Sequence, residues 1–256
     1  MGDRERYAPG TFCWADLGTT DASAAKAFYT AVFGWEAVDE EREGGSGPYT
    51  MFKVDGRDVA ALYEMGEEER AKLTPHWSSY ISVEDVDAAT AKARELGAEV
   101  LAEPLDVAES GRMAVLRDPT GAIVHLWQAG EQIGAGRVND PGCMVWNELA
   151  SPEPEKAGAF YSELLGWKAE KDESGYATVL QASGGINGGI RPVQDEEPPQ
   201  WLVYFSAESC EETLEAVREG GGTVTAGPME IHVGRMAIVA DPQGATFAVF
   251  EGQADP

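Results

Sequence analysis

Basic residues are scarce in this chain: 19 lysines and arginines stand against 45 aspartates and glutamates, a formal net charge of −26 over 256 residues. Such a field repels phosphate backbones and anionic headgroups, so neither nucleic acid nor a membrane surface is expected as a partner. Long apolar runs are missing too. No stretch approaches the roughly 18 consecutive apolar residues of a membrane helix, and the opening Met-Gly-Asp-Arg-Glu-Arg-Tyr has no apolar signal core, so a cytoplasmic protein is expected. Only three cysteines occur, Cys13, Cys143 and Cys210, far apart and in no CxxC pair, which argues against a disulfide framework or a thiolate metal cage. Histidines are equally few: His76, His125 and His232. No Gly-x-Ser-x-Gly elbow is present, and no Gly-Lys-Ser/Thr follows the paired glycines 184–185 and 188–189, so a triad hydrolase and a phosphate loop are not supported. A glycine-rich strand is expected there instead. What remains is 43% apolar and 25% charged, enough for one or two globular domains with real cores.

The chain repeats itself. Trp14, Phe28, Tyr29, Gly34 and Trp35 return as Trp146, Phe160, Tyr161, Gly166 and Trp167, with Ala-x-Ala-Phe-Tyr legible in both copies. Trp77, Gly97 and Pro104 then pair with Trp201, Gly221 and Pro228, the smaller offset marking extra residues between Trp35 and Trp77. Gly-Arg-Met at 111–113 and Asp-Pro-x-Gly at 118–121 recur at 234–236 and 241–244. Two homologous domains follow, 9–129 and 141–252, joined by a Gly-rich linker at 130–142.

Each half reads as strand, helix and short strands, twice over. The strand Thr11 to Leu17 alternates, and Asp21 or Ser23 can cap a helix ending at Gly34. Ser151 followed by Pro152 gives a matching helix start in the second half. Met51–Val54 and Val59–Glu64 are expected strands, as is Ser78–Val83, before a helix over Val86–Leu96 stopped by Gly97. The strands Ala98–Leu101, Met113–Arg117 and Ile123–Gln128 complete the half. The pattern is α+β, four βαβββ modules.

Four such modules, with Ala-Phe-Tyr-x-x-x-x-Gly-Trp closing the first helix and Asp-Pro-x-Gly-Ala before the last strand, resemble the vicinal oxygen chelate superfamily over about residues 9 to 252. That superfamily includes glyoxalase I, the bleomycin-resistance proteins and the extradiol dioxygenases. The similarity extends to tandem glyoxalase-like proteins often labelled hydroxylase, some of which accompany antibiotic biosynthesis. It implies two tandem vicinal-oxygen-chelate domains whose curved mixed sheets leave open clefts.

The resemblance also implies a divalent metal held by a His or Gln on the first strand, a carboxylate late in module one, a His opening module two and a Glu on the last strand. These positions fall on Trp14 and Trp146, on the small residues of Asp-Val-Ala-Ala-Leu-Tyr and Gly-Gly-Ile-Asn-Gly-Gly-Ile, on Ser78 and Leu202, and on His125 and Ala248. Indole offers a metal no lone pair, and a catalytic site needs about three protein ligands. His76 is expected before its strand and His232 in a loop of the other half, so no cleft gathers two histidines. No metal and no cofactor are expected.

Side chains alternate across a strand, so Phe12, Trp14 and Asp16 are expected on one cleft-lining face, and Met144, Trp146 and Glu148 on its copy. Tyr80, Tyr204, Tyr63 and Met51 should join them. An indole beside a carboxylate suits a planar ligand with a positive charge. The leading expectation is a metal-independent small-molecule-binding protein that sequesters an aromatic, cationic natural product or antibiotic, or serves as an accessory in its biosynthesis. Its ligand-binding residues are Trp14, Asp16, Tyr63, Ser78, Tyr80, His125, Trp146, Glu148 and Tyr204. The rival is a metal-independent isomerase, cyclase or hydroxylation-assisting enzyme with His125 or Asp16 as base. A metal-dependent glyoxalase-type lyase or dioxygenase stands third. The acidic runs Asp39–Glu43, Glu64–Glu69 and Asp195–Glu197 read as solvated loops. Fusion of two domains suggests a monomer or weak homodimer.

Overall fold

The computed structural model describes residues 2–41, 47–173, 175–182, 185–194 and 197–253. Arg42, Glu43, Gly184, Asp195 and Glu196, which belong to the acidic runs and paired glycines noted above, lie outside the described residues. In chain order the first half runs β1 (Phe12–Thr19), α1 (Ala22–Phe33), β2 (Glu36–Glu40), β3 (Tyr49–Val54), β4 (Arg57–Glu64), α2 (Glu67–Arg70), β5 (His76–Ser82), α3 (Val86–Glu95), β6 (Glu99–Val107), β7 (Gly111–Arg117) and β8 (Ile123–Ala129). The second half follows with β9 (Met144–Ser151), α4 (Pro154–Leu165), β10 (Lys168–Lys171), β11 (Ala177–Leu180), β12 (Ile186–Pro192), β13 (Gln200–Ser206), α5 (Cys210–Glu219), β14 (Thr223–Ile231), β15 (Gly234–Ala240) and β16 (Thr246–Gly252).

Each half closes its own eight-stranded mixed sheet, β2-β3-β4-β1-β5-β8-β7-β6 and β10-β11-β12-β9-β13-β16-β15-β14. The two modules of a half meet at the antiparallel β1–β5 or β9–β13 pair, so each cleft is built from modules of one half. Asp21 caps α1 by accepting from the Ala24 amide at 2.9 Å, and Gly34 closes it at φ 68°, a left-handed turn that suits a residue without Cβ. The second half differs from expectation at its helix start. Pro154, not Pro152, occupies the first turn after the cap residue Glu153, while the Ser151 hydroxyl accepts from the Glu153 amide at 3.1 Å.

One hydrophobic core runs across both halves. The first helix of each half sends its tyrosine to the other: Tyr29 donates to Asp241 Oδ2 at 3.0 Å and receives the Trp77 indole N–H at 2.9 Å. Tyr161 repeats this with Asp118 at 3.0 Å and Trp201 at 2.9 Å. The tryptophans after the two helices are exchanged likewise, Trp35 donating to the Gly142 carbonyl and Trp167 to the Gly10 carbonyl, both at 2.7 Å. The two aspartates are those of Asp-Pro-x-Gly. Each also anchors its own turn, Asp118 through the Thr120 and Ala122 amides and Asp241 through those of Gln243 and Ala245. Two repeated motifs that look independent in sequence are thus halves of one reciprocal contact.

The segment between the halves is held rather than loose. The Ala135 amide bonds to the Cys13 carbonyl at 2.7 Å, the Gly136 amide to that of Asp58 at 2.7 Å, and the Tyr7 hydroxyl to the Ala135 carbonyl at 2.6 Å. No helix of the described residues is long and apolar enough to cross a membrane.

Candidate functional site

Strand register decides which side chains share the face turned away from the other half. Trp14 lies opposite Tyr80, Asp16 opposite Ser78 and Gly18 opposite His76, while Tyr80 lies opposite His125 on β8. Across β4 and β3, Asp16 neighbours Ala61, Gly18 neighbours Tyr63, and Tyr63 and Ala61 face Tyr49 and Met51. The expected residues Trp14, Asp16, Tyr63, Ser78, Tyr80 and His125 therefore stand on one face. Phe12 does not. A bulge at Cys13 shifts the register between Phe12 and Trp14 and turns Phe12 to the opposite side, where its ring meets Trp201 at 4.9 Å and Trp167 at 5.6 Å. The same irregularity between Met144 and Trp146 sends Met144 into the shared core. His76 also departs from expectation: it is the first residue of β5 and sits on the face that carries His125, so one cleft does gather two histidines.

The centre of the first-half cleft is a carboxylate ringed by phenols. Asp16, only 3% exposed, accepts at Oδ2 from Tyr80 at 2.8 Å and Tyr49 at 3.0 Å. Trp14 donates its indole N–H to the Tyr49 hydroxyl at 3.1 Å. Burial, and after it the Asp16 charge, push both phenols well above the usual tyrosine range, so they stay protonated donors. His125 stacks on Tyr80 with centroids 4.4 Å apart, and burial holds its ring neutral, with the pKa pushed down to about 3. Tyr63 donates to Glu69 Oε1 at 2.6 Å. Glu64 and Glu69, expected in a solvated loop, are thus engaged, Glu64 pairing with Arg70 at 2.5 Å. Beside Met51 the surface opens into a depression of about 380 Å³, lined by Glu40, Arg57, Asp58, Gln132 and Arg4 among others.

The second-half cleft repeats the network with Glu148 at the position of Asp16. Trp146 donates to the Tyr176 hydroxyl at 3.2 Å, Tyr204 donates to Glu148 at 3.0 Å, and Tyr176 also bonds to Glu148. Here an arginine enters. Arg191 Nε reaches Glu148 at 2.7 Å, and its two terminal nitrogens take Glu197 at 2.6 and 2.7 Å. Burial works against ionisation of Glu197, but the guanidinium prevails and holds its carboxyl below the usual range. The expected role of Glu148, meeting a ligand's charge, is already filled from within the chain. Around it Leu202, Tyr204, Met236, Ala248 and Phe250 form a separate apolar cluster with Trp146 packed on it.

Sequence reasoning missed Tyr49, Tyr176 and Arg191. Tyr49 lies two residues before Met51, which alternation alone would have put on the same face. Tyr176 precedes a short strand after a loop, and Arg191 looks like any surface cation until the register pairs it with Ala150.

A family metal does not fit these residues. The first-strand position holds an indole in each half, and its N–H is a donor engaged by a phenol. The last-strand position holds a neutral His125 stacked on Tyr80 in one half and Ala248 in the other. Among the described residues no group of three or more His, Cys, Asp or Glu is placed to hold a metal ion.

Comparison with known proteins agrees with the topology. Residues 11–126 match the family described as the glyoxalase/bleomycin resistance protein/dioxygenase superfamily, and residues 146–250 match the family described as the glyoxalase-like domain. The chain is 40% identical to CFP32 of Mycobacterium tuberculosis (strain CDC 1551 / Oshkosh) over 98% of each sequence. It is 34% identical to the anthracycline biosynthesis protein DauV of Streptomyces sp. (strain C5), over 96% of this chain and 94% of that one. The Mn(II)-bound glyoxalase from Novosphingobium aromaticivorans shares the fold with a TM-score of 0.67 at 20% identity, over 96% of this chain and 84% of that one.

Proposed function

The chain belongs to the glyoxalase/bleomycin resistance protein/dioxygenase superfamily, and from that premise we propose that it is a metal-independent binder of a planar aromatic small molecule, seated in the first-half cleft. One observation carries this reading. Two of the positions where the resemblance implies metal ligands hold Trp14 and His125 in the first half, and with Tyr49 and Tyr80 they surround Asp16. Aromatic faces offer a flat molecule stacking worth about 0.5–1.5 kcal/mol per pair beyond area burial. The relative named for anthracycline biosynthesis supports a planar, polycyclic natural product as the ligand class. Sequestration or an accessory role in making such a compound follows from binding without turnover.

The enzymatic reading has less support in the cleft. A general base works best with a pKa near the operating pH, and a histidine held to about 3 is a weak base at neutrality.

The test is titration of metal-stripped protein with an anthracycline, followed by tryptophan quenching and by mass spectrometry of the recovered compound. Micromolar binding to chelator-treated protein, weakened at least tenfold in Trp14→Phe and scarcely in Trp146→Phe, with the compound returned unchanged, is the expected result. Binding that appears only after a divalent metal is restored, or a compound returned with altered mass, overturns the proposal.

A further inference from the structure

Arginines are few in this chain and most are taken. Seven of the described arginines hold a carboxylate oxygen within 2.9 Å. Arg4 and Arg57 do not. Among the described residues, the Arg4 guanidinium reaches the Asp3 carbonyl alone, at 3.2 Å, and Arg57 Nη2 stands 3.8 Å from Asp3 Oδ2, beyond hydrogen-bond distance. The other oxygen of that carboxylate is held by Arg137 at 2.9 Å. Arg4 and Arg57 both line the depression beside Met51, as do Glu40 and Glu131, yet among the described residues no ion pair joins either guanidinium to either of these carboxylates. With 45 acidic residues to 19 basic ones, a shortage of partners is not the reason. Opposite charges share one concavity and are kept apart in it.

The backbone does the separating. The Arg4 amide donates to the Gly136 carbonyl at 2.9 Å and the Gly136 amide to the Asp58 carbonyl at 2.7 Å, which ties Arg4 to the start of β4, where Arg57 stands. Glu131 is tied to the turn between β6 and β7: its amide donates to the Glu109 carbonyl at 3.0 Å, while the Gly130 and Gln132 amides donate to the Ser110 carbonyl at 2.9 and 3.0 Å. Glu40 ends β2. Ser110 and Gln132 complete the polar lining, and since the Gln132 side-chain oxygen accepts from the Gly134 amide at 2.6 Å, its NH2 group is left as a donor.

We propose that this depression is a second binding site, for a small zwitterion of the amino-acid or short-peptide kind, its carboxylate taken by Arg4 and Arg57 and its ammonium by Glu40 and Glu131. The site shares no residue with the ring of aromatic side chains around Asp16. A net anion is disfavoured by the two glutamates and by the chain's charge of −26, and a net cation by the two arginines. A molecule carrying both charges satisfies all four. The planar fork of a guanidinium matches a carboxylate through two parallel bonds, and such charge-assisted bonds are roughly twice as strong as neutral ones. At about 380 Å³ the depression falls within the range of small-molecule sites, roughly 300–1,000 Å³. Glu131 and Gln132 belong to the segment between the halves, and Val233 stands in the second half where Ser110 stands in the first, so one site per chain is expected.

Glycine, glycylglycine and triglycine carry the same two charges at increasing separation, N-acetylglycine keeps only the carboxylate, and glycinamide keeps only the ammonium. Each is titrated calorimetrically into the full chain, into Arg57→Gln and into Glu131→Gln. Both changes fall on exposed side chains, so the variants should melt with the wild type. At least one of the three zwitterions is expected to saturate at one molecule per chain, with N-acetylglycine and glycinamide at least tenfold weaker. Arg57→Gln should weaken that zwitterion at least tenfold, to the level of glycinamide, and Glu131→Gln should weaken it to the level of N-acetylglycine.

No saturable heat from any of the three zwitterions overturns the proposal. So does a zwitterion whose binding both variants leave unchanged. N-acetylglycine bound as tightly as the best zwitterion also overturns it, and makes the depression a plain anion site. None of these outcomes bears on the aromatic site, which is tested separately through Trp14→Phe.

Discussion

Replacing Tyr29 by phenylalanine removes one oxygen from the middle of the shared core and little else. That oxygen is fully buried and serves two bonds, accepting from the Trp77 indole at 2.9 Å and donating to Asp241 Oδ2 at 3.0 Å. A hydrogen bond to a charged acceptor contributes about 1.5–3 kcal/mol, and a buried N–H left without a partner costs about 1–3 kcal/mol. The two losses overlap, so Tyr29→Phe should cost roughly 3 kcal/mol. The turn at Asp241 should survive, because its other oxygen still accepts from the Gln243 and Ala245 amides. Tyr161→Phe should cost a similar amount through Trp201 and Asp118, and with no partner in common the double variant should lose close to the sum. Urea unfolding followed by circular dichroism is the assay: the midpoint should fall while the slope stays constant. A loss below about 0.5 kcal/mol in either single variant, within the range of ordinary surface substitutions, would refute the argument that these exchanged tyrosines secure the two halves to each other.

Three further outcomes are expected. Because burial lowers the folded-state pKa of His125 to about 3 from an ordinary value near 6.5, the unfolded chain takes up a proton in that window and the native one does not, so the contribution of this residue to stability falls as the pH is lowered, by about 1.4 kcal/mol per unit. His125→Phe should flatten this slope between about pH 6.5 and 4, measured as the difference between the two proteins' unfolding free energies at each pH. Gly189→Ala should displace Tyr176, since a β-carbon there would stand 2.0 Å from its hydroxyl oxygen; a cost of about 1–3 kcal/mol and a shift in Trp146 emission are the readouts. Asp21→Ala should cost about 1 kcal/mol, seen as a lower melting temperature, by removing the cap on the first helix.

How much was legible varies with how far each feature reaches along the chain. Helix ends at Gly34 and Gly166 and the repeated Phe-Tyr and Asp-Pro-x-Gly motifs are local, and they were enough for the module pattern. The strands Glu36–Glu40 and Lys168–Lys171 left no signal because they lie at sheet edges with their side chains mostly exposed, so nothing apolar marks a face. The bulge at Cys13 was invisible for a different reason. Alternation counts residues, and a bulge adds one without changing composition, which is why Phe12 was assigned to the wrong face while Trp14 and Asp16 were not. The carboxylate and indole of each cleft could be read from one strand. The asymmetry between the clefts could not, since Tyr63 and Arg191 become the same position only once β1 is paired with β4 and β9 with β12.

The exchanged packing of α1 and α4 has an evolutionary side. The exchanged tyrosine and tryptophan bonds between the halves use none of Trp14, Asp16, Tyr63, Tyr80 or His125, so the partnership of the halves and the first-half cleft draw on different side chains. Either cleft can accumulate substitutions while the partnership of the halves is kept under constraint elsewhere. A duplicated domain of this build is therefore free to let one pocket drift, even to the point of plugging it with its own side chain, while that half goes on serving as scaffold for the other.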